Sequence, residues 1–255
     1  MTDLPRTPSF RLDGRRALVT GAGRGIGLAI ACALAEAGAE TWLIARSDAQ
    51  VQAAAEALSA RGLAARAAAL DVTDRAAFAA FVEREGPFQV LVNNAGLARH
   101  APFLDTVPED YDAVFDLNVR AAYFASQAVA RGLAAAGLPG SILTISSQMG
   151  HVGGPERAVY CATKHAAEGF TKAMALELAP LGIRVNTLCP TFIATELAQQ
   201  TLADPDKRAW IERSIPLGRV GDLEDVMGPA LFLASDASAL VTGAALLVDG
   251  GWTAA

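Results

Sequence analysis

The sequence is short of cysteine, of long apolar runs and of basic clusters, and each shortage excludes a class of protein. Its three cysteines, Cys32, Cys161 and Cys189, have no C-x-x-C spacing, which argues against a disulfide framework or a zinc ribbon and favours the reducing cytoplasm. No run of about 18 apolar residues occurs, so no transmembrane helix is expected. The first residues carry prolines and arginines and lack the apolar segment of a signal peptide.

The charge and the length of the chain indicate its type of binding partner and its number of domains. Lys and Arg number 21 against 27 Asp and Glu, a net charge of −6 without a basic block. This balance argues against nucleic acid or an anionic membrane as the partner, and a small molecule is expected instead. Alanine supplies 55 of the 255 residues, so the apolar share of 52% overstates the content of large hydrophobic side chains. A chain of this size can form one globular domain over 1–255.

Short apolar runs alternate with longer, alanine-rich segments of helical length. The predicted strands are 16–20, 41–45, 64–70, 89–92, 141–146, 183–188 and 245–248, and the predicted helices are 26–37, 48–61, 74–85, 109–136, 157–180 and 223–234. Runs that are apolar throughout are typical of parallel strands covered on both faces. The alternation predicts an α/β fold, a doubly wound sheet of right-handed βαβ units. The polar stretch 194–215 breaks the rhythm and is expected to form a helical substrate lid.

A glycine-rich turn follows the first predicted strand. Residues 20–27 read T-G-A-G-R-G-I-G, which fits T-G-x-x-x-G-x-G and departs from G-x-G-x-x-G because Ile26 takes the place of the last glycine. Glycines here permit a tight turn and bring backbone N–H groups close to a pyrophosphate at a helix N-terminus. The loop therefore predicts a dinucleotide site.

Tyr160 and Lys164 are four residues apart on one predicted helix, so their side chains share a face. An ammonium beside a phenol favours the phenolate, and we expect it to lower the pKa of Tyr160 from its ordinary value of about 10. Such a phenol can exchange a proton with a substrate hydroxyl or carbonyl. Ser147 follows a strand end and can bond the same oxygen, whereas strand alternation points Ser146 the other way.

These motifs together resemble the short-chain dehydrogenase/reductase family. The resemblance rests on the glycine loop, on 93–96 (N-N-A-G), on Ser147 and on Tyr160-x-x-x-Lys164, and it covers nearly the whole chain. It implies a single Rossmann domain with a seven-stranded parallel sheet of order 3-2-1-4-5-6-7 and helices on both faces. It also implies that Ser147, Tyr160, Lys164 and Asn118 are catalytic, Asn118 through a water held by its backbone. The last strand and the two long helices suggest a homotetramer.

The end of the second predicted strand bears on the cofactor. NAD-preferring members of the family have an acidic residue where this chain has Ala45, while Arg46 and Arg24 offer guanidinium groups suited to a 2′-phosphate. We predict that NADP(H) is preferred over NAD(H); the alternative is that Arg46 pairs with Asp48 on the surface. The resemblance implies a wider set of cofactor-binding residues: Gly21, Arg24, Gly25, Ile26, Gly27, Arg46, Asp71, Val72, Asn93, Gly96, Tyr160, Lys164, Pro190, Ile193 and Thr195. Thr191 follows Pro190 where the family has glycine, which puts the geometry of that loop in question.

The expected activity is the interconversion of a secondary alcohol and a ketone by an NADP-preferring oxidoreductase. The segment 146–154 resembles the corresponding loop of bacterial sugar-acid and polyol dehydrogenases, and Gln148 and His151 are its candidate substrate-binding residues. His100 is expected near the opening of the substrate site, whereas His165 is expected to have a structural role. Three scattered histidines give no metal-ligand spacing, so no metal is expected.

Two other functions are compatible with the sequence to different degrees. A 3-oxoacyl-carrier-protein reductase of the same family would carry cations near the ends of two helices to meet an acidic carrier, but 134–138 and 177–181 contain none. A cofactor-binding regulator without turnover would not need Tyr160 or Lys164, and both are present. The lack of G-x-S-x-G argues against a serine hydrolase.

Overall fold

The fold is built on one parallel sheet. The structure, a computed structural model, describes residues 4–254, so 1–3 and 255 of the predicted domain lie outside it. The strands are β1 (Arg16–Thr20), β2 (Glu40–Ala45), β3 (Ala65–Ala69), β4 (Val90–Asn93), β5 (Gly140–Ile145), β6 (Ile183–Pro190) and β7 (Ala245–Val248). Their order is β3-β2-β1-β4-β5-β6-β7 and each neighbouring pair is parallel. This confirms the predicted fold class and strand order.

Helices connect the strands and cover the sheet. They are α1 (Gly25–Glu36), α2 (Asp48–Ala60), α3 (Arg75–Glu85), α4 (Pro108–Phe115), α5 (Ala122–Ala136), α6 (Ala158–Leu178), α7 (Glu196–Leu202), α8 (Pro205–Ser214) and α9 (Leu223–Ala234). A π-helical turn over Asp116–Ala121 joins α4 to α5. Most bounds differ by one or two residues from those predicted.

The central strands carry apolar side chains on both faces because each face has its own core. On β1, Val19 belongs to one buried cluster with Ile30 of α1 and Leu233 of α9. The next residue towards the N-terminus, Leu18, points to the opposite face and lies in a second cluster with Phe78 of α3. Successive strand residues face opposite sides, so a strand with two apolar layers around it reads as a continuous apolar run.

The strand order indicates where on the sheet a ligand would bind. Chain progression reverses between β1 and β4, which are neighbours although β2 and β3 intervene in sequence. In open parallel sheets ligands bind outside the carboxyl ends of the strands, at such a reversal. The glycine loop after β1 and the N-N-A-G segment after β4 therefore meet at one crevice.

Two of the predicted helical segments have internal features that the sequence did not predict. The predicted helix 109–136 is helical throughout, but it changes to a π turn around Asn118. The 194–215 segment is helical as predicted, but it forms the separate helices α7 and α8. The break lies at Asp204, whose side chain caps α8 by accepting from the backbone N–H groups of Asp206 and Lys207, with Pro205 in the first turn.

Candidate active site

Tyr160 and Lys164 lie in the first two turns of α6, on the face turned toward the end of β5. The Nζ atom of Lys164 donates to the backbone oxygen of Ile145 at 2.8 Å and lies 5.4 Å from the centroid of the Tyr160 ring. Lys164 is buried. The carbonyl at the strand end thus fixes the ammonium beside the phenol, as the four-residue spacing predicts.

Ser147 stands at the end of β5, opposite the tyrosine. Its Oγ donates to Oε1 of Gln148 at 2.7 Å and accepts from the backbone N–H of Met149. The Ser147 hydroxyl is close enough to the Tyr160 side chain to lower the pKa of that phenol. The Ser146 side chain lies instead beside Gly150. Of the two serines, the structure brings Ser147 to the tyrosine.

Asn118 occupies the π turn and holds the loop that follows β4. Its Oδ1 accepts from the backbone N–H of Leu97 and its Nδ2 donates to the backbone oxygen of the same residue, both at 2.8 Å. Nδ2 also reaches Oγ1 of Thr163 at 3.2 Å. The side chain therefore joins the loop to α6 and is fully engaged, so a water in a proton relay would have to use its backbone. Sequence reasoning missed Thr163, which follows Tyr160 by three residues on the same helix.

The glycine loop is tightly closed on itself and on β4. Gly21 and Gly25 have φ values of +64° and +59°, in the left-handed region that glycine adopts without strain. A Cβ on Gly27 would lie 2.4 Å from both the Gly21 oxygen and Nδ2 of Asn94. That Nδ2 donates to the backbone oxygens of Thr20 and Gly21 at 3.0 Å. Asn94 thus holds the glycine loop closed through these two hydrogen bonds. The sequence analysis did not identify this role.

Asn93 has a different role from its neighbour. Its side chain is buried, and its Nδ2 donates to Oγ of Ser126 at 2.8 Å, inside the packing between sheet and α5. If Asn93 contacts the cofactor as predicted, it must do so through its backbone atoms. The N-N-A-G motif serves packing with its first residue and the turn with its second.

Comparison with known proteins decides the family. A family model described as enoyl-(acyl carrier protein) reductase matches residues 21–253. The chain is 44% identical to D-erythrulose reductase of Gallus gallus, over 96% of this chain and 98% of that protein. It is also 44% identical to L-xylulose reductase of Bos taurus, over 96% and 99%. The chain belongs to the short-chain dehydrogenase/reductase family.

A solved structure supports the same assignment for this short-chain dehydrogenase/reductase. Gluconate 5-dehydrogenase of Burkholderia cenocepacia, in complex with NADP and tartrate, matches it with a TM-score of 0.92 at 42% identity, covering 96% of this chain and 98% of that one. The predicted family is confirmed, and so is the prediction that the protein is an oxidoreductase. Among residues 4–254, no helix combines the length and the apolarity needed to cross a membrane.

The sheet edge of this oxidoreductase fits a nicotinamide dinucleotide. Thr191, at the end of β6, has a buried Oγ1 without a hydrogen-bond partner among the described residues, and the glycine loop leaves backbone N–H groups at the start of α1. When bound, the nicotinamide supplies or accepts a hydride. The other predicted cofactor residues lie at or after strand ends on the same edge of the sheet: Ile26, Asp71, Val72, Gly96, Pro190, Ile193 and Thr195.

The two arginines proposed for the 2′-phosphate differ in their surroundings. Arg46 is exposed, and none of the carboxylates in the described part of the chain lies within ion-pair distance of it. The surface pair with Asp48 is therefore not formed; Asp48 accepts from Gln52 instead. Arg24 forms an ion pair with Glu196 at the start of α7, so it must leave that partner to meet a phosphate. Arg46 is the better placed of the two.

Burial has the largest effect on the pKa values of Tyr160 and Lys164. It raises the pKa of Tyr160 to about 12, an effect that the nearby Ser147 hydroxyl and the charge of Arg157 only partly offset. It lowers the pKa of Lys164 to about 8, against the opposing influence of Cys189 and Glu168. The expected lowering of the Tyr160 pKa by the lysine is thus wrong for this structure, because desolvation of a phenolate outweighs the neighbouring charges.

The residues predicted to contact substrate separate into two groups. Gln148 is buried and hydrogen-bonded to Ser147. His100 packs edge-on against Tyr160 with ring centroids 6.0 Å apart, so it lies at the catalytic mouth. The His151 side chain contacts a different part of α6. Its Nε2 lies 3.8 Å from Oε1 of Glu168, and Glu168 is about two helical turns beyond Tyr160 along α6.

One group of three side chains with potential metal-ligand atoms does come together in the described part of the chain. The side chains of His151, Glu168 and Cys189 have ligand atoms within 4.8 Å of one another. The Glu168 oxygens already accept from Oγ1 of Thr187 and Sγ of Cys189. Sequence spacing could not reveal this group, because its members come from three elements. His165, as predicted, has a structural contact, between its Nδ1 and the Cys161 oxygen at 2.9 Å.

Proposed function

We propose that the enzyme interconverts a secondary alcohol and a ketone on a small polyhydroxylated substrate, a sugar acid or a polyol, with NADP(H) as the preferred cofactor. The observation that carries this proposal is the convergence of Ser147, Tyr160 and Lys164 at the sheet edge beside the glycine loop. The relatives are named for activity on erythrulose, xylulose and gluconate, which are all polyhydroxylated compounds. The tartrate in one relative's structure has the same character.

The residues divide the proton chemistry between them. In ketone reduction the Tyr160 hydroxyl donates its proton to the carbonyl oxygen as that oxygen becomes an alcohol, and Ser147 donates a hydrogen bond to the same oxygen. The ammonium of Lys164 then stabilises the phenolate that remains. A pKa of about 12 keeps Tyr160 protonated at neutral pH and suits it to the acid role. Alcohol oxidation uses the same groups in reverse.

A reductase of acyl-carrier-protein substrates is the second candidate, favoured by the description of the matching family model. The ends of α5 and α6 do not favour it, because 134–138 and 177–181 contain no Lys or Arg to meet an acidic carrier. Both candidates use the same catalytic residues, so the substrate distinguishes them.

A substrate panel tests the proposal directly. Ketoses, keto-aldonates and their alcohols are supplied with each of the two cofactors, and the absorbance of the reduced cofactor is followed; an acetoacetyl thioester serves as the comparison. We expect turnover of polyhydroxylated substrates at a higher kcat/KM than that of the thioester. Turnover of the thioester alone would favour the carrier-protein candidate and overturn the proposal.

The preference for NADP(H) rests on Arg46. A 2′-phosphate brings up to two negative charges, and a charge-assisted bond to an exposed, unpaired guanidinium is worth roughly 10- to 150-fold in affinity. We expect Ala45→Asp to shift the ratio of kcat/KM values towards NAD(H), because it places a carboxylate where the phosphate would lie. Asp48→Asn, two residues beyond Arg46 at the start of α2, serves as the control. A wild type that already prefers NAD(H) would contradict this prediction.

The helices of 194–215 support the proposal of a lid. α7 is tied to the glycine loop by the Glu196–Arg24 pair. α8 reaches the other side of the mouth, where Lys207 lies 3.8 Å from Glu156. Trp210 of α8 packs edge-on against Trp252, with ring centroids 5.3 Å apart. These side-chain ties join the segment to both halves of the site.

We also propose a cytoplasmic homotetramer. Its three cysteines are free thiols, as suits a reducing compartment. Large apolar side chains are exposed on α5 at Tyr123, on α6 at Leu176 and on β7 at Leu247, and contact with other copies would cover them. Light scattering at working concentration gives the assembly mass that checks this.

A further inference from the structure

Two cations and one carboxylate lie near His100, which packs against Tyr160. The net charge of the protein is −6, yet Arg157 and Lys207 both act electrostatically on His100 at the mouth, and Glu156 is the carboxylate beside them. Arg157 immediately precedes α6 and is three residues before Tyr160. This spacing puts the two side chains on one face, about 4.5 Å apart along the helix axis.

Arg157 is held in place without an acidic partner. Its Nη1 donates to the backbone oxygen of Pro155 at 3.2 Å, and its Cζ lies 5.5 Å from the centroid of the Phe192 ring. Phe192 in turn packs against Trp252. The side chain is half-buried, and no carboxylate among residues 4–254 lies within 4.0 Å of its nitrogens. Burial lowers the pKa of Arg157, and the charge of the neighbouring Glu156 only partly opposes this effect.

The adjacent carboxylate is turned towards another partner. Glu156 has φ = +61°, the one positive value at a non-glycine residue in the described chain. Its carboxylate pairs with Lys207 of α8, while its backbone oxygen accepts from Ala101. A non-glycine residue in this region is strained, and such strain is concentrated at functional sites. Here it leaves the guanidinium of Arg157 available.

His100 cannot supply the same recognition. Partial burial and the charge of Arg157 lower its pKa to about 4, so its imidazole is neutral at neutral pH. It can exchange hydrogen bonds with a hydroxyl group but offers no charge to an anion. Since Lys207 is engaged with Glu156, Arg157 is the cation near His100 that has no carboxylate within ion-pair distance among the described residues.

We propose that Arg157 binds a carboxylate of the substrate, so that the enzyme acts on hydroxy acids or keto acids in preference to neutral polyols. A guanidinium matches a carboxylate with two parallel N–H···O bonds, which fixes orientation as well as position. The substrate would then lie between two fixed points, with its reacting oxygen at Tyr160 and its acid group at Arg157. This inference rests on the proposed function and specifies its substrate class.

The test compares an acid with its neutral analogue. For wild type and Arg157→Gln, kcat and KM are measured with D-gluconate and with D-glucitol, an alditol of the same length. We expect the substitution to lower kcat/KM for gluconate by about 10- to 150-fold, mainly through KM, and to change that for glucitol by less than about threefold. Arg157→Lys keeps the charge without the fork and should fall between the two.

The control is Arg84→Gln, which removes an arginine of α3 that has its own partner in Glu85. This control should leave kcat/KM unchanged for both gluconate and glucitol. Equal losses on gluconate and glucitol in Arg157→Gln, or no loss on gluconate, would overturn the inference. Wild type that oxidises glucitol and not gluconate would do so without any variant, and the proposed function would stand. Wild type inactive on every polyhydroxylated compound would remove the proposed function itself.

Discussion

Tyr160→Phe is expected to abolish ketone reduction while leaving the affinity for the reduced cofactor nearly unchanged. The substitution removes only the hydroxyl, and a positioned general acid contributes about 10²- to 10⁴-fold to the rate. Because the proton is needed in the reacting complex and not for cofactor binding, the loss should fall on kcat. Steady-state kinetics and a fluorescence titration with the cofactor measure the two quantities.

The chain offers a matched control for that substitution. Tyr123 of α5 is exposed, and Tyr123→Phe removes a hydroxyl that no step of the proposed reaction uses. It should retain wild-type kcat. Tyr160→Phe that kept more than about a tenth of wild-type kcat would show that another group donates the proton.

Lys164→Met should lower kcat/KM for ketone reduction by about 10²-fold or more and raise KM for the cofactor. The ammonium stabilises the phenolate of Tyr160, and the resemblance to the family implies that it also contacts the nicotinamide ribose. Burial lowers the lysine pKa to about 8, so the ammonium is present below that pH and is lost as pH rises through it. Reduction by wild type should therefore fall above about pH 8, and this limb should vanish in the variant.

Lys172→Met provides the comparison for the lysine. Lys172 lies two turns further along α6 and is exposed, so its replacement should alter neither the rate nor the pH profile. A Lys164→Met variant with lowered thermal stability but normal kinetics would make the lysine a structural residue.

The sheet and the close placement of Tyr160 and Lys164 were predictable because their signals are local. Continuous apolar runs such as 16–20 reflect two apolar layers around one strand, and the four-residue spacing of Tyr160 and Lys164 fixes a shared helix face whatever surrounds it. The glycine loop likewise follows from the backbone geometry of a tight turn. These features need no knowledge of distant contacts.

Other parts of the site depend on contacts between distant residues. Asn118 meets Leu97 across 21 positions, and Asn94 closes the glycine loop from another strand. His151 faces Glu168 because of how its loop turns, which spacing does not encode. The pKa of Tyr160 required the relative sizes of burial and nearby charge, and only the packed structure gives those sizes.

The π turn between α4 and α5 has a thermodynamic consequence. Such turns are rare and are found mainly where function requires them, so an unbroken α-helix through 108–136 would have the lower local free energy. The turn nevertheless sets Asn118 against Leu97 and Thr163. Stability and activity are therefore opposed in this segment: a change that made the helix regular would raise its resistance to unfolding and lower turnover together.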